Sequence, residues 1–248
     1  MDLTTIKNVH GVLNRSLNKA VDWGLIRINP IKKVDMPKQR KREMKVLNPD
    51  QAVKFLEASV YSPHKTLFTL LLVTGLRPGE ALGLRWGDID FDNKRLHIQR
   101  TLYKNGVSWS LNEPKTPQSR RSIPLPDALI AELKEHKSEQ DCLKKDAKNY
   151  TDNDLLFAGE SGNPLNYRTI YDKHFKRLLK HADLPNIRLY DLRHTCATLL
   201  MASGVNAKIV SERLGHSTVS ITLDTYSHVL PDMQDMATDV IDKLLFKK

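Results

Sequence analysis

Five side chains near chain breaks could handle an anion or move a proton. Arg77 stands in TGLRPGE, where Pro78 opens a helix. The free amides and dipole of a helix start favour an anion, and an arginine adds bidentate donors. Lys115 lies in EPKTP, on a turn between two strand-like runs; Arg193 falls near a helix start in LYDLRHT. His216 follows the helix-stopping glycine of LGHS, and Tyr226 comes ten residues later in a run of Ser and Thr. Singly, each is unremarkable: exposed charges contribute little, and Tyr226 reads equally well as a rim aromatic.

The bulk of the chain narrows the partner. Its 248 residues carry a net charge of +10. Such a surface favours a polyanion through phosphate contacts and counterion release, although solubility alone also asks for charge. A hydrophobic content of 40% is ample for a packed core. The apolar run LFTLLLV is too short to span a bilayer, and MDLTTIKNVH has no apolar signal core. Cys142 and Cys196 are far apart without metal or redox spacing, which suits a reduced, cytoplasmic chain. There is no Gly-x4-Gly-Lys loop, no nucleophile elbow around GESG, and no HExxH or Cys/His cluster.

Periodicity supplies the elements that must hold these groups. Residues 4–23 form an amphipathic helix with Ile6, Val9, Leu13, Leu17 and Ala20 on one face, ended by Gly24 and INP. One helix cannot bury its own stripe. PKQRKREMK follows with five basic residues and one acid, an extended linker whose Lys38, Arg40, Lys41 and Arg42 suit a DNA backbone. Asn48 and Pro49 then cap a helix over 47–58, TLFTLLLV is a core helix stopped by Gly75, and RPGEALGLRW opens another. Three short antiparallel strands are expected over 94–103, 107–111 and 120–125, the first two joined by KNG. Helical patterns resume at 127–139, 167–182, 191–202, 206–214 and 218–228. The class is mainly α with a small antiparallel three-stranded sheet.

The stretches TGLRPGEALGLRW, EPKTPQSRRSIPL, LYDLRHTCATLL and LGHSTVSITLDTYSHV, in that order, closely resemble the tyrosine recombinase (phage integrase) family. Integrases of conjugative transposons and temperate phages are the nearest in kind. The resemblance implies the DNA breaking-rejoining fold and a site-specific recombinase for integration or excision of a mobile element. Tyr226 would attack a DNA phosphodiester to give a 3′-phosphotyrosyl link and a free 5′-hydroxyl. A free phenol is only about 0.1% ionised at neutral pH, so it needs help from cations or a base. By the same resemblance Arg77 and Arg193 clamp the nonbridging oxygens, Lys115 protonates the departing 5′-oxygen, and His216 donates to the scissile phosphate. Glu80 is a supporting acid that orients the cations. No metal or nucleotide cofactor is implied.

Two departures qualify this reading. The family's second motif usually begins with histidine, where this chain has Tyr190. A phenol can donate and accept a hydrogen bond but is not a base near pH 7. Slower cleavage is expected, and Tyr190→His should raise its rate on a nicked substrate. Residues 1–36 resemble only the latter part of a helical core-binding domain, followed by a linker over 37–46 and a catalytic domain over 47–248. The terminal stretch 232–248 carries Met233, Met236, Val240, Ile241 and Leu244 on one stripe. The resemblance implies docking of this helix in trans within a homo-tetramer on double-stranded attachment sites, with accessory DNA-bending or excision factors. The setting would be the bacterial cytoplasm and nucleoid, the gene bacterial or phage-borne. The alternative is a truncated, cleavage-impaired DNA-binding remnant that competes with a full-length integrase. A type IB topoisomerase shares the chemistry without the site preference.

Overall fold

The computed structural model describes residues 3–37, 44–105, 108–113, 119–226, 238, 241–242 and 245–246. The chain divides into two compact units, Met1–Glu43 and Met44–Lys248. Lys38, Arg40, Lys41 and Arg42 lie outside the described residues, as do Met233, Met236, Val240 and Leu244. No helix among the described residues is long and apolar enough to cross a membrane.

The first unit is helix α1 (Leu3–Asp22) folded against a 3-10 turn at Pro30–Lys33. Asn29 fastens the turn: its amide donates to the Asn14 and Asn18 side chains at 2.8 Å each, and its oxygen accepts from the Ile31 amide at 3.0 Å. The stripe expected on α1 is covered only in part, because Ile6, Leu17 and Ala20 are half-buried whereas Val9 and Leu13 stay exposed.

The second unit begins with α2 (Pro49–Ser59), closed by a reciprocal cap in which Asn48 accepts from the Gln51 amide and Gln51 from the Asn48 amide. Helix α3 (Lys65–Thr74) runs through the centre with Leu67, Phe68, Leu70, Leu71 and Leu72 buried. Each such side chain contributes about 1.5–3 kcal/mol by leaving water. Phe55 of α2, Phe68 and Phe175 form one aromatic cluster with ring centroids 5.5–6.0 Å apart. The short helix α4 (Pro78–Leu82) then packs on the strands.

Those strands differ in detail from the sequence expectation. The run 94–103 is two strands, β2 (Arg95–Ile98) and β3 (Thr101–Asn105), after a short β1 (Ile89–Asp90). The break has a cause: buried Asp88 draws the Arg100 guanidinium to 2.5 Å, which takes that residue out of the ladder. A three-stranded antiparallel sheet results from β1, β2 and β5 (Arg121–Pro124), with Leu96 opposite both Ile89 and Ile123. Strand β3 pairs instead with β4 (Ser108–Asn112) as a separate hairpin.

Helix α5 (Asp127–Asp146) outruns the expected 127–139. Its extension is held by a polar residue that apolar periodicity passes over. Buried Gln140 accepts from the Trp86 indole at 2.7 Å and donates to the Leu155 carbonyl at 3.2 Å. The 167–182 segment is α6 (Tyr167–Thr169), a π-helical stretch (Ile170–Phe175) and α7 (Lys176–His181). Helices α8 (Asp191–Ala202), α9 (Ala207–Leu214) and α10 (Val219–Tyr226) complete the described fold. Ala197, Met201, Val210, Leu214 and Tyr226 form a second, smaller core among these three helices.

Candidate active site

Two helix C-termini build the floor of the site. Helix α3 ends at Gly75, with φ 68° and its amide on the Leu71 carbonyl at 3.0 Å. Helix α9 ends the same way at Gly215, φ 68°. Carbonyls without intrahelical partners collect there, and their partial negative charge favours cations. Four arginines answer. Arg193 donates to the Gly75 carbonyl at 2.8 Å and Arg213 to the Val73 carbonyl at 3.0 Å. Arg121 donates to the Arg213 carbonyl at 2.7 Å and Arg77 to the Gly215 carbonyl at 3.4 Å.

Neither glycine tolerates a side chain. A Cβ on Gly75 would stand 2.6 Å from Leu214 Cδ2, and one on Gly215 would stand 2.8 Å from Arg121 Nη1. Both also hold the left-handed conformation that penalises other residues.

Glu80 ties the cations together. It is 2% exposed, accepts from the Arg77 guanidinium at 2.6 Å and backbone amide at 3.0 Å, and accepts from Arg121 at 2.9 and 3.4 Å. Burial pushes its carboxyl up, but Arg121 and Arg77 outweigh that and hold it below the usual carboxylate range. Burial lowers Arg77 while Glu80, with the Tyr190 phenol adding, raises it further. Sequence reasoning missed Arg121, which joins β5 to α4 and α9.

Arg193 is 1% exposed and its Nη2 has no hydrogen-bond partner among the described residues. Burial, then the neighbouring Arg77, lowers its pKa, yet it remains a cation at neutral pH. The charges of Arg77, Tyr190 and Glu80 act on this guanidinium, and those three residues line an open cleft of about 420 Å³ with Tyr103 and His216. His216 lines that cleft with Nδ1 2.7 Å from the Thr222 hydroxyl. Burial, together with Arg193 and Arg77, lowers its pKa to about 4, so the ring is neutral at physiological pH.

Tyr226, the last residue of α10, is 0% exposed. Its hydroxyl meets His194 Nδ1 at 2.7 Å. Burial raises the phenol's pKa, only partly offset by Arg193. His194 in turn lies edge-on to Tyr190, ring centroids 5.3 Å apart. The structure therefore brings Arg77, Glu80, Tyr190, Arg193, His216 and Tyr226 into one neighbourhood. Lys115 lies between β4 and β5 in the sequence, outside the described residues. Among the described residues no group of three or more His, Cys, Asp or Glu could hold a metal.

The comparisons agree in kind. The phage integrase family model matches residues 45–233. A tyrosine recombinase XerC-like protein of Caldanaerobacter subterraneus subsp. tengcongensis is 36% identical over 259 residues, covering 97% of this chain and 66% of that protein. The ICEBs1 integrase of Bacillus subtilis is 28% identical over 97% of this chain and 66% of its own length. The chain thus spans just under two-thirds of these curated relatives. Among solved structures, the Tn1549 transposon integrase in complex with a circular intermediate DNA superposes with TM-score 0.81 at 26% identity, over 97% of this chain and 80% of that one. With the family model over most of its length, the chain belongs to the phage integrase family, alongside relatives that are a tyrosine recombinase XerC-like protein and integrases.

Proposed function

We propose that the chain cleaves and rejoins double-stranded DNA at attachment sites of a mobile element, through a 3′-phosphotyrosyl bond to Tyr226. The observation that carries this is the Arg193 Nη2 donor, buried and unpaired, on a guanidinium close enough to Arg77 and Tyr190 to feel their charge, two residues that line one cleft with His216. An unsatisfied buried donor costs about 1–3 kcal/mol. A nonbridging phosphate oxygen would satisfy it, and a second would suit Arg77, which neutralises charge growing at phosphorus. Three arginines against one carboxylate leave the site cationic, so side chains fill the role that metal ions take in other phosphoryl transfers.

His216 gives its hydrogen bond from Nε2. A neutral imidazole does so only if Nδ1 accepts, so Thr222 Oγ1 donates to it and fixes the tautomer. Glu80 orients Arg77, and Tyr190 adds a phenol beside the same guanidinium. Lys115 is assigned the protonation of the 5′-oxygen, and Lys38, Arg40, Lys41 and Arg42 the DNA backbone. The active form is a homo-tetramer on DNA in which the terminal stretch 232–248 docks in trans, assisted by DNA-bending or excision factors.

The test uses a pool of nicked suicide duplexes with randomised cores, incubated with the whole chain. A protein–DNA adduct that survives denaturation, enriches one core sequence and disappears in Tyr226→Phe is expected. Absence of any adduct from the wild-type chain would defeat the proposal.

A further inference from the structure

The family's histidine is missing at position 190, yet an imidazole stands one helical turn away. Tyr190 and His194 are four residues apart, hence neighbours on one face of α8, with their rings 5.3 Å apart. Of the two, His194 is the one that touches the nucleophile, with Nδ1 2.7 Å from the Tyr226 hydroxyl. That is the reach required of a general base before any movement. We infer that His194 Nδ1 takes the phenolic proton as Tyr226 attacks phosphorus and returns it when the strand is rejoined. This assignment rests on the cleavage reaction proposed above.

The step balances. The Tyr226 Oη–H bond breaks, its proton passes to Nδ1, and Oη bonds to phosphorus. The P–O5′ bond breaks with its electron pair on the 5′-oxygen, which is protonated by the general acid assigned to Lys115. On rejoining, the 5′-hydroxyl attacks phosphorus and passes its proton back to that acid. The phenolic oxygen leaves and recovers its proton from the imidazolium.

Accepting requires a neutral ring with its hydrogen on Nε2. Burial lowers the pKa of His194; Asp191 opposes this, while Arg193 and Arg188 add to it. The titratable groups facing the ring are Asp191, Arg188 and Arg193, Tyr190 beside it, Tyr226 from α10, and His216 across the cleft. Arg188 and Asp191 are themselves paired at 2.8 Å, which mutes both charges. The bland alternative is that the two polar groups merely satisfy one another beside a small core.

His194→Asn separates the two. Asparagine places an oxygen near the Nδ1 position and keeps a hydrogen-bond acceptor, but an amide is not basic enough to take up a proton at neutral pH. The measurement is the rate of Tyr226 adduct formation on the duplex enriched above, across pH, with DNA binding and thermal melting as folding controls. The expected result is a loss of about a hundredfold or more in His194→Asn. The wild-type rate should also fall as acid protonates the histidine, a limb that the variant lacks. A duplex with sulfur replacing the bridging 5′-oxygen needs no leaving-group acid, so it should not rescue His194→Asn. A variant rate within about threefold of wild type, or full rescue by sulfur, would overturn the assignment. Should His194→Asn fail to fold, a wild-type rate with no acid limb from neutrality down to the onset of acid unfolding would overturn it as well. No adduct from the wild-type chain sinks the cleavage reading itself, an outcome distinct from loss in the variant alone.

Discussion

Arg121 shows how a single side chain can govern a site it does not line. Its side chain is 7% exposed and pairs with a Glu80 side chain that is 3% exposed, so removing it strands a buried carboxylate on Arg77 alone. Arg121→Met should destabilise the chain by about 3 kcal/mol at neutral pH in urea unfolding. The sign of its pH dependence follows from Glu80. A carboxyl held below its ordinary value contributes stability above that value and loses it as acid protonates the folded form. The gap in melting temperature between wild type and Arg121→Met should therefore be widest near neutrality and close as pH drops through the acid range. A gap that does not narrow with acid would mean that Glu80 is not the partner that matters. The sequence held a hint of this residue. Arg121 and Ile123 share one face of β5, so a charge sits at core parity and needs a buried acid. Arg77 was legible from its place at a helix start, and Glu80 through the family resemblance of the same stretch. His194 was not, because its partner Tyr226 stands 32 residues further on.

At the scale of elements, the site is a meeting of helix ends, and the glycines that stop them are as specific as the arginines they seat. Gly75→Ala combines left-handed strain with overlap against Leu214, and should cost about 2–4 kcal/mol in chemical denaturation. It should also displace the carbonyl under Arg193, so adduct formation should fall further than melting predicts. Equal losses would make Gly75 a purely structural residue. Periodicity read α8 and the glycine stops well, since both are local signals. It merged β2 and β3 into one strand, because the break between them depends on Arg100 reaching back to buried Asp88, a pairing no window of alternation contains. The length of α5 escaped for the same reason, since Gln140 earns its burial through Trp86 and Leu155 rather than through hydrophobicity.

For the whole molecule, the net charge of +10 and the burial of the Tyr226 phenol bear on one question. Tyr226 is 0% exposed whereas Tyr61 is 93% exposed. Tetranitromethane should therefore nitrate Tyr61 and spare Tyr226 in the free chain, as read by peptide mass spectrometry. Comparable modification of both would show that the phenol is not stowed in solution. Its burial has a bearing on fidelity. A basic protein moving over non-specific DNA meets far more phosphodiesters that must stay intact than ones it should open. With the phenol buried among α8, α9 and α10, contact with a random backbone would present no attacking atom for the cleavage reaction proposed above, and cutting would wait on sequences that draw the phenol out.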